Sequence, residues 1–408
     1  MKRMIPVVFT LFLLLSTLTL TGFVVVKGEA EEAGFIVEMS VTYHNNGTEE
    51  WVFTNEDRAI GLFMNNTWQT VQLINHSYPL ENTTVDEDGN PMAVLQFPES
   101  KLNLGENISY TVTYYALSKS RLLSDVREEN SGTLDDIPEE LKESYCRESD
   151  TWLVNDSELQ DLAYSIAKGE TKVLTIVKTF ITWFQANVTY ETRDTPRYPN
   201  ETYAEREGDC DDQAILFITL CRILGIPSFL QIGCIHMPTI LPTKDVYWEG
   251  HLTTSLKHIG WHGWAMVYIP PWGWLPVDFT YVIGGLADPL NAIKKAAVTS
   301  QKTLQYMNIS QMDYVASSGR YRDFLKNNDF YVHTQDEMME ASPTNHGNDD
   351  LEKLFPWIPI IAIVVIAVTA AGIFVYFWKR EKSKEIEFNP SLTFWNLAIY
   401  GIVYVPFF

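Results

Sequence analysis

Cysteine and basic residues are the scarce classes in this chain. Its 408 residues include only 4 cysteines, too few for the disulfide framework of a small secreted scaffold, and its length predicts two or three domains. Lys and Arg number 30 against 52 Asp and Glu, so the formal net charge is −22. Because so acidic a chain repels phosphate backbones, nucleic-acid binding is not expected. Internal repeats are also absent from the sequence.

An uncharged run begins close to the N-terminus. Lys2 and Arg3 precede an apolar run over residues 4–26, and small residues follow up to Ala30. This order is typical of a secretion signal. The run is longer than the roughly 7 to 15 apolar residues of a cleaved signal, so two alternatives stay open. Residues 1–30 are expected to be a signal peptide cleaved after Ala30 or an uncleaved signal anchor.

A second uncharged run, residues 357–378, is long enough to cross a bilayer as a helix. Trp357 and Trp378 mark its ends in the manner of an aromatic belt. The following segment, residues 379–390, carries Lys and Arg and is therefore expected in the cytoplasm. Residues 391–408 are again uncharged and form either a second span or an interfacial segment. We therefore expect a protein of the cell membrane whose main domains are extracellular.

Asn-X-Ser/Thr sequons provide separate support for export, because they are acceptors of N-glycosylation in secreted proteins. All of them lie between the two uncharged runs described above. The alternative interpretation, that these tripeptides are only polar loop sequence, stays open. The nine predicted acceptors are Asn46, Asn65, Asn75, Asn82, Asn107, Asn155, Asn187, Asn200 and Asn308.

The region between the two uncharged runs divides into segments with different sequence patterns. Residues 31–117 alternate short β-rich runs with turn clusters, which predicts a small all-β sandwich. The acidic cluster at residues 86–90 is interpreted as a hairpin turn, because a calcium loop of the EF-hand type needs further ligands and a Glu at its twelfth position. Residues 118–150 are charged and lack an apolar period, which predicts a linker. Residues 286–355 predict a polar helical region that ends in an acidic stalk.

Residues 151–285 are predicted to form an α+β domain. Apolar residues recur at three- and four-residue steps over residues 159–184, and a second helix is expected at residues 209–224, where Gly225 and Pro227 end it. Helices followed by antiparallel strands are typical of the α+β class. The strands are predicted at residues 229–234, 264–269 and 274–280.

The densest cluster of reactive side chains lies at the start of the second helix. Cys210 falls at the helix N-terminus, where unpaired backbone N–H groups and the helix dipole favour the thiolate, the form that attacks a carbonyl. Asp209, Asp211 and Asp212 oppose the thiolate by like charge. A further cation is therefore needed, and a histidine is its natural source.

The context of the downstream histidines favours His262 as that partner. It lies on a strand joined by a short Pro-containing loop to a second strand that ends at Asp278. If the loop holds an odd number of residues, Asp278 lies opposite Trp264 and diagonal to His262 on one face, close enough to orient the imidazole. A two-residue loop would place the two side chains on opposite faces. The candidates are His236, His251, His258 and His262.

This ordered set of residues resembles the transglutaminase-like superfamily of papain-type Cys-His-Asp enzymes. The resemblance covers about residues 158–280 and implies a papain-like core in which a helix carrying the cysteine packs on an antiparallel sheet. It implies that Cys210 is the nucleophile, that His262 is the base and acid, and that Asp278 orients the imidazole. The motifs that carry it are Gly208-Asp209-Cys210, His262-Gly263-Trp264 and Trp274-Leu275-Pro276-Val277-Asp278-Phe279-Thr280.

The resemblance implies a membrane-anchored extracellular cysteine enzyme of a microbial, especially archaeal, cell surface. Such an enzyme would cleave or transfer an acyl or amide bond of a protein or peptide substrate through a thioester, without a cofactor. Met266 and Phe279 depart from the family pattern, in which an acidic residue and a proline are common, and they leave the substrate class open. The alternative function is a non-catalytic surface module that keeps the fold for protein binding.

Cys146, Cys221 and Cys234 lie outside this set of residues. Cys221 lies on the same face of the predicted helix as Cys210 and is expected in the core. In an oxidising exterior, two of Cys146, Cys221 and Cys234 can pair, and spacing does not choose the partners. His258 and His262 have the spacing of two ligands on a helix, but the surrounding run has the pattern of a strand, so no metal site is expected.

Overall fold

The computed structural model describes residues 32–121, 123, 125–281, 288–296 and 302–343. The signal expected at residues 1–30, the uncharged runs at 357–378 and 391–408 and the basic segment between them lie outside the described residues. Within the described ranges, no helix is both long enough and apolar enough to cross a membrane.

Strands dominate the described part of the chain. They are β1 Glu32–Asn45, β2 Trp51–Val52, β3 Ala59–Gly61, β4 Gln69–His76, β5 Leu80–Val85, β6 Pro91–Leu95, β7 Lys101–Leu102, β8 Asn107–Lys119, β9 Thr189–Tyr190, β10 Glu207–Gly208, β11 Ser228–His236, β12 Thr243–Tyr247, β13 Leu252–Lys257, β14 Ile259–Ile269, β15 Gly273–Val277, β16 Thr303–Ile309 and β17 Phe330–Ala341. The helices are α1 Glu139–Tyr145, α2 Ser157–Ala167, α3 Val173–Asn187, α4 Pro199–Glu205, α5 Cys210–Ile223, α6 Asn291–Lys294 and α7 Tyr314–Asn328.

The largest sheet has six strands in the order β12-β13-β17-β1-β8-β4. Strand β1 pairs antiparallel with β17 on one side and with β8 on the other. Strand β13 adds to β17 in parallel. The β sandwich expected at residues 31–117 is therefore not built from those residues alone, because strands from much later in the chain complete its main sheet.

The segment expected to be helical and stalk-like, residues 286–355, has a different structure where it is described. It contains the helices α6 and α7, as expected, but also the strands β16 and β17. The acidic stalk was expected from Asp336 onwards, yet Asp336 lies on β17 and is only 6% exposed. Val332 and Met338 on the same strand are also buried. In β17, acidic and other polar residues interrupt the alternation of apolar and polar side chains, so the sequence pattern does not indicate a strand.

The expected linker, residues 118–150, packs against the helical layer. Val126 and Ile137 are buried in the core formed by the helices. Tyr145, at the end of α1, has its ring 4.9 Å from that of Trp274. The few apolar residues of this charged segment do not recur at a regular spacing, so the sequence pattern did not reveal this packing.

The second sheet is antiparallel and has the order β15-β14-β11-β16. Leu230, Ala265 and Val267 join it to the apolar core of helices α2, α3 and α5. Cys234 and Leu304, nearer its other end, belong to the core of the six-stranded sheet. The mixed α+β class predicted from the sequence is confirmed, and the helix that begins at Cys210 packs on this sheet.

The acidic cluster at residues 86–90 is a hairpin turn, as predicted, and joins β5 to β6. Asp88 at its tip accepts hydrogen bonds from the backbone N–H groups of Ser310, Gln311 and Met312 at 3.0, 2.7 and 3.1 Å. The Ser310 hydroxyl donates to the same carboxylate at 2.7 Å. Because these donors immediately precede α7, the hairpin holds the chain where that helix begins.

The buried carboxyl group of Asp336 predicts a pH-dependent stability. Burial raises its pKa to about 6, although a 2.8 Å hydrogen bond from Trp261 Nε1 favours the charged form. An aspartate whose folded pKa exceeds its unfolded value favours folding fully below about pH 4, and this contribution is lost as the pH rises through 6. We expect Asp336→Asn to be more stable than the parent by about 2 to 3 kcal/mol at pH 7.5 and by less than about 1 kcal/mol at pH 4.5.

Urea unfolding at the two pH values measures this difference. Asp323→Asn is the matched control, because the Asp323 side chain is 58% exposed. A stability difference between parent and Asp336→Asn that does not change with pH would contradict the prediction.

Candidate active site

The hairpin of β14 and β15 brings the predicted base and its orienting acid together. The strands pair as far as Ile269 with Gly273, so the loop between them holds three residues. The odd loop length places Asp278 opposite Trp264 and on the same face as His262. The geometry that depended on loop length in the sequence is therefore confirmed.

His262 and Asp278 form a buried pair. His262 Nε2 lies 2.9 Å from Asp278 Oδ2, and the two residues are 8% and 2% exposed. Asp278 Oδ1 accepts from the backbone N–H groups of Thr280 and Tyr281 at 3.2 and 3.1 Å. Burial raises the pKa of Asp278, but His262 and these hydrogen bonds outweigh it and hold the pKa below its usual value. An ionised Asp278 assigns the proton to Nε2, so Nδ1 of a neutral imidazole is left as the base.

Cys210 is the first residue of α5 and lies against strand β14. The backbone N–H groups of Gly263 and Asp211 face its sulfur. A Cβ at position 263 would lie 3.2 Å from the Cβ of Asp211, so glycine permits the close approach of helix and strand. The half-buried cysteine thus lies beside the residue that follows His262, although no hydrogen bond joins the two side chains in the described part of the chain.

The sequence predicts that a cation beside Cys210 favours its thiolate, whereas the structure favours the protonated thiol. Burial raises the pKa of the Cys210 thiol well above its usual value, and the charges of Asp211 and Asp209 raise it further. The two facing N–H groups lower it only in part. The thiol is therefore protonated in this arrangement, because desolvation, which the sequence pattern does not reveal, outweighs the helix N-terminus.

The three carboxyl groups of the first helical turn have different partners. Burial and Asp211 raise the pKa of Asp209 to about 9, so that group is protonated at neutral pH. Asp212 is fully buried and accepts from the backbone N–H of Arg197 at 2.7 Å and from its Nε at 3.3 Å. Asp211 accepts from the Tyr314 hydroxyl at 2.9 Å. Sequence reasoning identified the acids but missed Arg197 and Tyr314, for which no motif provides a signal.

The acidic and sulfur atoms at the start of α5 form a compact cluster. The side-chain oxygens of Asp209 and Asp211 and the sulfur of Cys210 lie within 4.8 Å of one another. His258 lies in the turn between β13 and β14, so its spacing from His262 is not that of two ligands on a helix.

The other cysteines form no disulfide within the described residues, and eight of the nine sequon asparagines are exposed. Cys221 is buried in the helical core, as expected, and the four thiols are free. Asn308 is the exception among the sequons, because it is half-buried and its Oδ1 accepts from Gln231 Nε2 at 2.8 Å. The asparagines exposed at the surface are Asn46, Asn65, Asn75, Asn82, Asn107, Asn155, Asn187 and Asn200.

Residues 160–279 match the Transglutaminase-like superfamily. This segment is a transglutaminase-like domain. It contains Cys210, His262 and Asp278, together with α3, α5 and the β14–β15 hairpin, so the family resemblance of the motifs is confirmed for this part of the chain.

Three solved structures are similar to the chain at low identity. A candidate cysteine protease from Cytophaga hutchinsonii is 16% identical with a TM-score of 0.48, over 78% of this chain and 94% of that one. The periplasmic domain of TgpA from Pseudomonas aeruginosa bound to ethylmercury is 12% identical with a TM-score of 0.29, over 67% and 94%. Red sea bream transglutaminase is 10% identical with a TM-score of 0.24, over 62% and 48%. No curated protein matches the sequence.

The start of α5, residues 209–212, is referred to as the reactive turn. Its ion pair between Asp212 and Arg197 predicts a large loss of stability when the arginine is removed. Arg197→Met leaves the Asp212 carboxylate buried and unpaired, and we expect a loss of about 3 to 5 kcal/mol in the free energy of unfolding at pH 7.5. Burial already raises the pKa of Asp212 to about 6, so part of the loss should be recovered at pH 5, where the group is protonated.

Urea unfolding of both arginine variants tests this cost. Arg193→Met is the control, because its guanidinium pairs with the exposed carboxylates of Glu205 and Glu207, and such pairs contribute less than about 1 kcal/mol. Equal losses in the two variants would contradict the assignment.

Proposed function

We propose that this protein is a cysteine-dependent enzyme that cleaves or transfers an amide bond of a protein or peptide substrate. The observation that carries the proposal is the buried His262–Asp278 pair at 2.9 Å, on a strand whose next residue faces the sulfur of Cys210. The match of residues 160–279 to the Transglutaminase-like superfamily supports the same chemistry.

In this mechanism, His262 Nδ1 takes the proton from Cys210 Sγ when the two atoms approach to about 3 Å in the substrate complex. The thiolate attacks the substrate carbonyl carbon, and backbone N–H groups at the start of α5 stabilise the oxyanion. The imidazolium then protonates the leaving amine, which departs and leaves a thioester. Water or a second amine, deprotonated by His262, attacks the thioester and releases a carboxylic acid or a new amide.

A non-catalytic binding module is the second candidate function. The raised pKa of the Cys210 thiol and its lack of a hydrogen bond to His262 within the described residues favour this alternative. The buried His262–Asp278 pair argues against it, because an orienting carboxylate has no role in a module that only binds.

Substitution of the three site residues separates the two functions. We expect the purified protein to release peptides from fluorescently labelled casein or to attach a fluorescent primary amine to it. Activity should fall by about 10³-fold or more in Cys210→Ala and His262→Ala, and by a comparable factor in Asp278→Asn, because the base loses its orientation. The two readouts also distinguish hydrolysis from transfer.

Cys146→Ser is the matched control, since it removes another half-buried thiol and should leave activity unchanged. Activity that persists in Cys210→Ala would contradict the cysteine mechanism. Absence of both reactions, together with alkylation of Cys210 no faster than that of Cys146, would favour the binding module.

We infer that the described domains lie outside a microbial cell, anchored by the uncharged runs at the two ends, and that an envelope protein is the substrate. The one-sided distribution of sequons and the exposure of eight of the nine asparagines support this location. Protease added to right-side-out vesicles should digest the region that carries Cys210 and spare a tag placed after Lys384. Protection of the Cys210 region would reverse the topology.

A further inference from the structure

Tyr314 lies outside the transglutaminase-like domain yet reaches its reactive turn. It is the first residue of α7, and its hydroxyl donates to Asp211 Oδ2 at 2.9 Å. Asp211 follows Cys210 in the chain, and its carboxylate lies within 4.8 Å of the Cys210 sulfur. A single hydrogen bond therefore connects a later helix to the group beside the nucleophile.

The hydroxyl of Tyr314 is restricted to the role of a donor. Burial, followed by the charge of Asp211 and by Cys210 and Asp209, raises the pKa of Tyr314 well above its usual value. A phenol in these surroundings stays protonated over the range in which enzymes work. Its O–H dipole therefore points its positive end at the Asp211 carboxylate.

Asp211 is the charge that most opposes the thiolate. Among the charged groups that raise the pKa of Cys210, Asp211 has the largest effect and Asp209 the second. Burial and Asp211 raise the pKa of Asp209 to about 9, so Asp209 opposes the thiolate less than Asp211 does at neutral pH. The other titratable groups that face this cluster are Tyr190, Tyr247, and Asp212 with Arg197. His262 precedes Gly263, whose backbone N–H faces the sulfur.

The start of α7 is held firmly enough to direct the tyrosine. The Tyr314 backbone N–H donates to Thr151 Oγ1 at 3.1 Å, and the Thr151 hydroxyl donates to Asp313 Oδ1 at 3.1 Å. Asp313 Oδ1 also accepts from the backbone N–H of Ala316, which caps the helix. The Asp88 carboxylate also holds residues 310–312, just before the helix, so the phenol has a defined direction towards Asp211.

We propose that Tyr314 is a positioning residue for the nucleophile, whose hydroxyl holds the Asp211 carboxylate in place and offsets part of its negative field at the Cys210 sulfur. This inference rests on the proposed function, because it takes Cys210 as the nucleophile. Its test measures the reactivity of the Cys210 thiol and needs no substrate turnover. A failure of this inference can therefore be told apart from a failure of the proposed function.

The test is the rate of iodoacetamide alkylation at Cys210 as a function of pH, followed by mass spectrometry of the Cys210 peptide. Below the pKa the rate is proportional to the thiolate fraction. In Tyr314→Phe we expect the apparent pKa to rise by about half a unit, so alkylation at pH 8 slows about threefold. Asp211→Asn removes the opposing charge and should lower the apparent pKa.

The double variant decides whether the tyrosine acts through Asp211. In the Asp211→Asn background, Tyr314→Phe should have no further effect on the alkylation profile, because the charge on which the hydroxyl acts is gone. Tyr321→Phe is the matched control, since it removes a hydroxyl from the same helix at a residue whose ring packs against Trp248 at 6.1 Å. Its profile should equal that of the parent.

Three results would overturn the proposal. One is an unchanged alkylation profile in Tyr314→Phe, whatever its urea unfolding midpoint. Another is an equal shift in the presence and absence of the Asp211 charge. The third is a shift in Tyr321→Phe as large as that in Tyr314→Phe, because general loosening of α7 would then explain both.

Discussion

The length of the loop between β14 and β15 is the constraint on which the candidate site depends. Side chains alternate along a strand, so a loop one residue shorter or longer would turn Asp278 to the face opposite His262. The observed register places both on one face and buries them together. The next residue, Gly263, leaves room for the start of α5, so the same strand also receives Cys210.

Negative charge around the reactive turn is distributed rather than eliminated. Asp209 is protonated, Asp212 is paired with Arg197, and Asp211 accepts from Tyr314. Burial and the remaining charge still leave the resting thiol of Cys210 protonated. Such a thiol becomes nucleophilic only when a base removes its proton, and it resists oxidation, because oxidants react with the thiolate.

Residues outside the transglutaminase-like domain complete both the fold and the surroundings of the site. Strand β17 lies between β1 and β13, so the first and last described strands share one sheet with a hairpin from within that domain. The β5–β6 hairpin reaches the start of α7 through Asp88, and α7 in turn contacts the reactive turn through Tyr314. The six-stranded sheet and the β5–β6 hairpin thus support the site.

The sequence by itself determined the helix that carries Cys210 and the strands that lead to His262 and Asp278, because local periodicity and turn residues specify such elements. It left open whether the loop between β14 and β15 holds an odd or an even number of residues, since both loop lengths fit the same sequence pattern. Only the tertiary structure decided that parity, the burial that raises the pKa of Cys210, and the partners Arg197 and Tyr314. Desolvation and contacts between distant segments arise from packing, which local pattern does not encode.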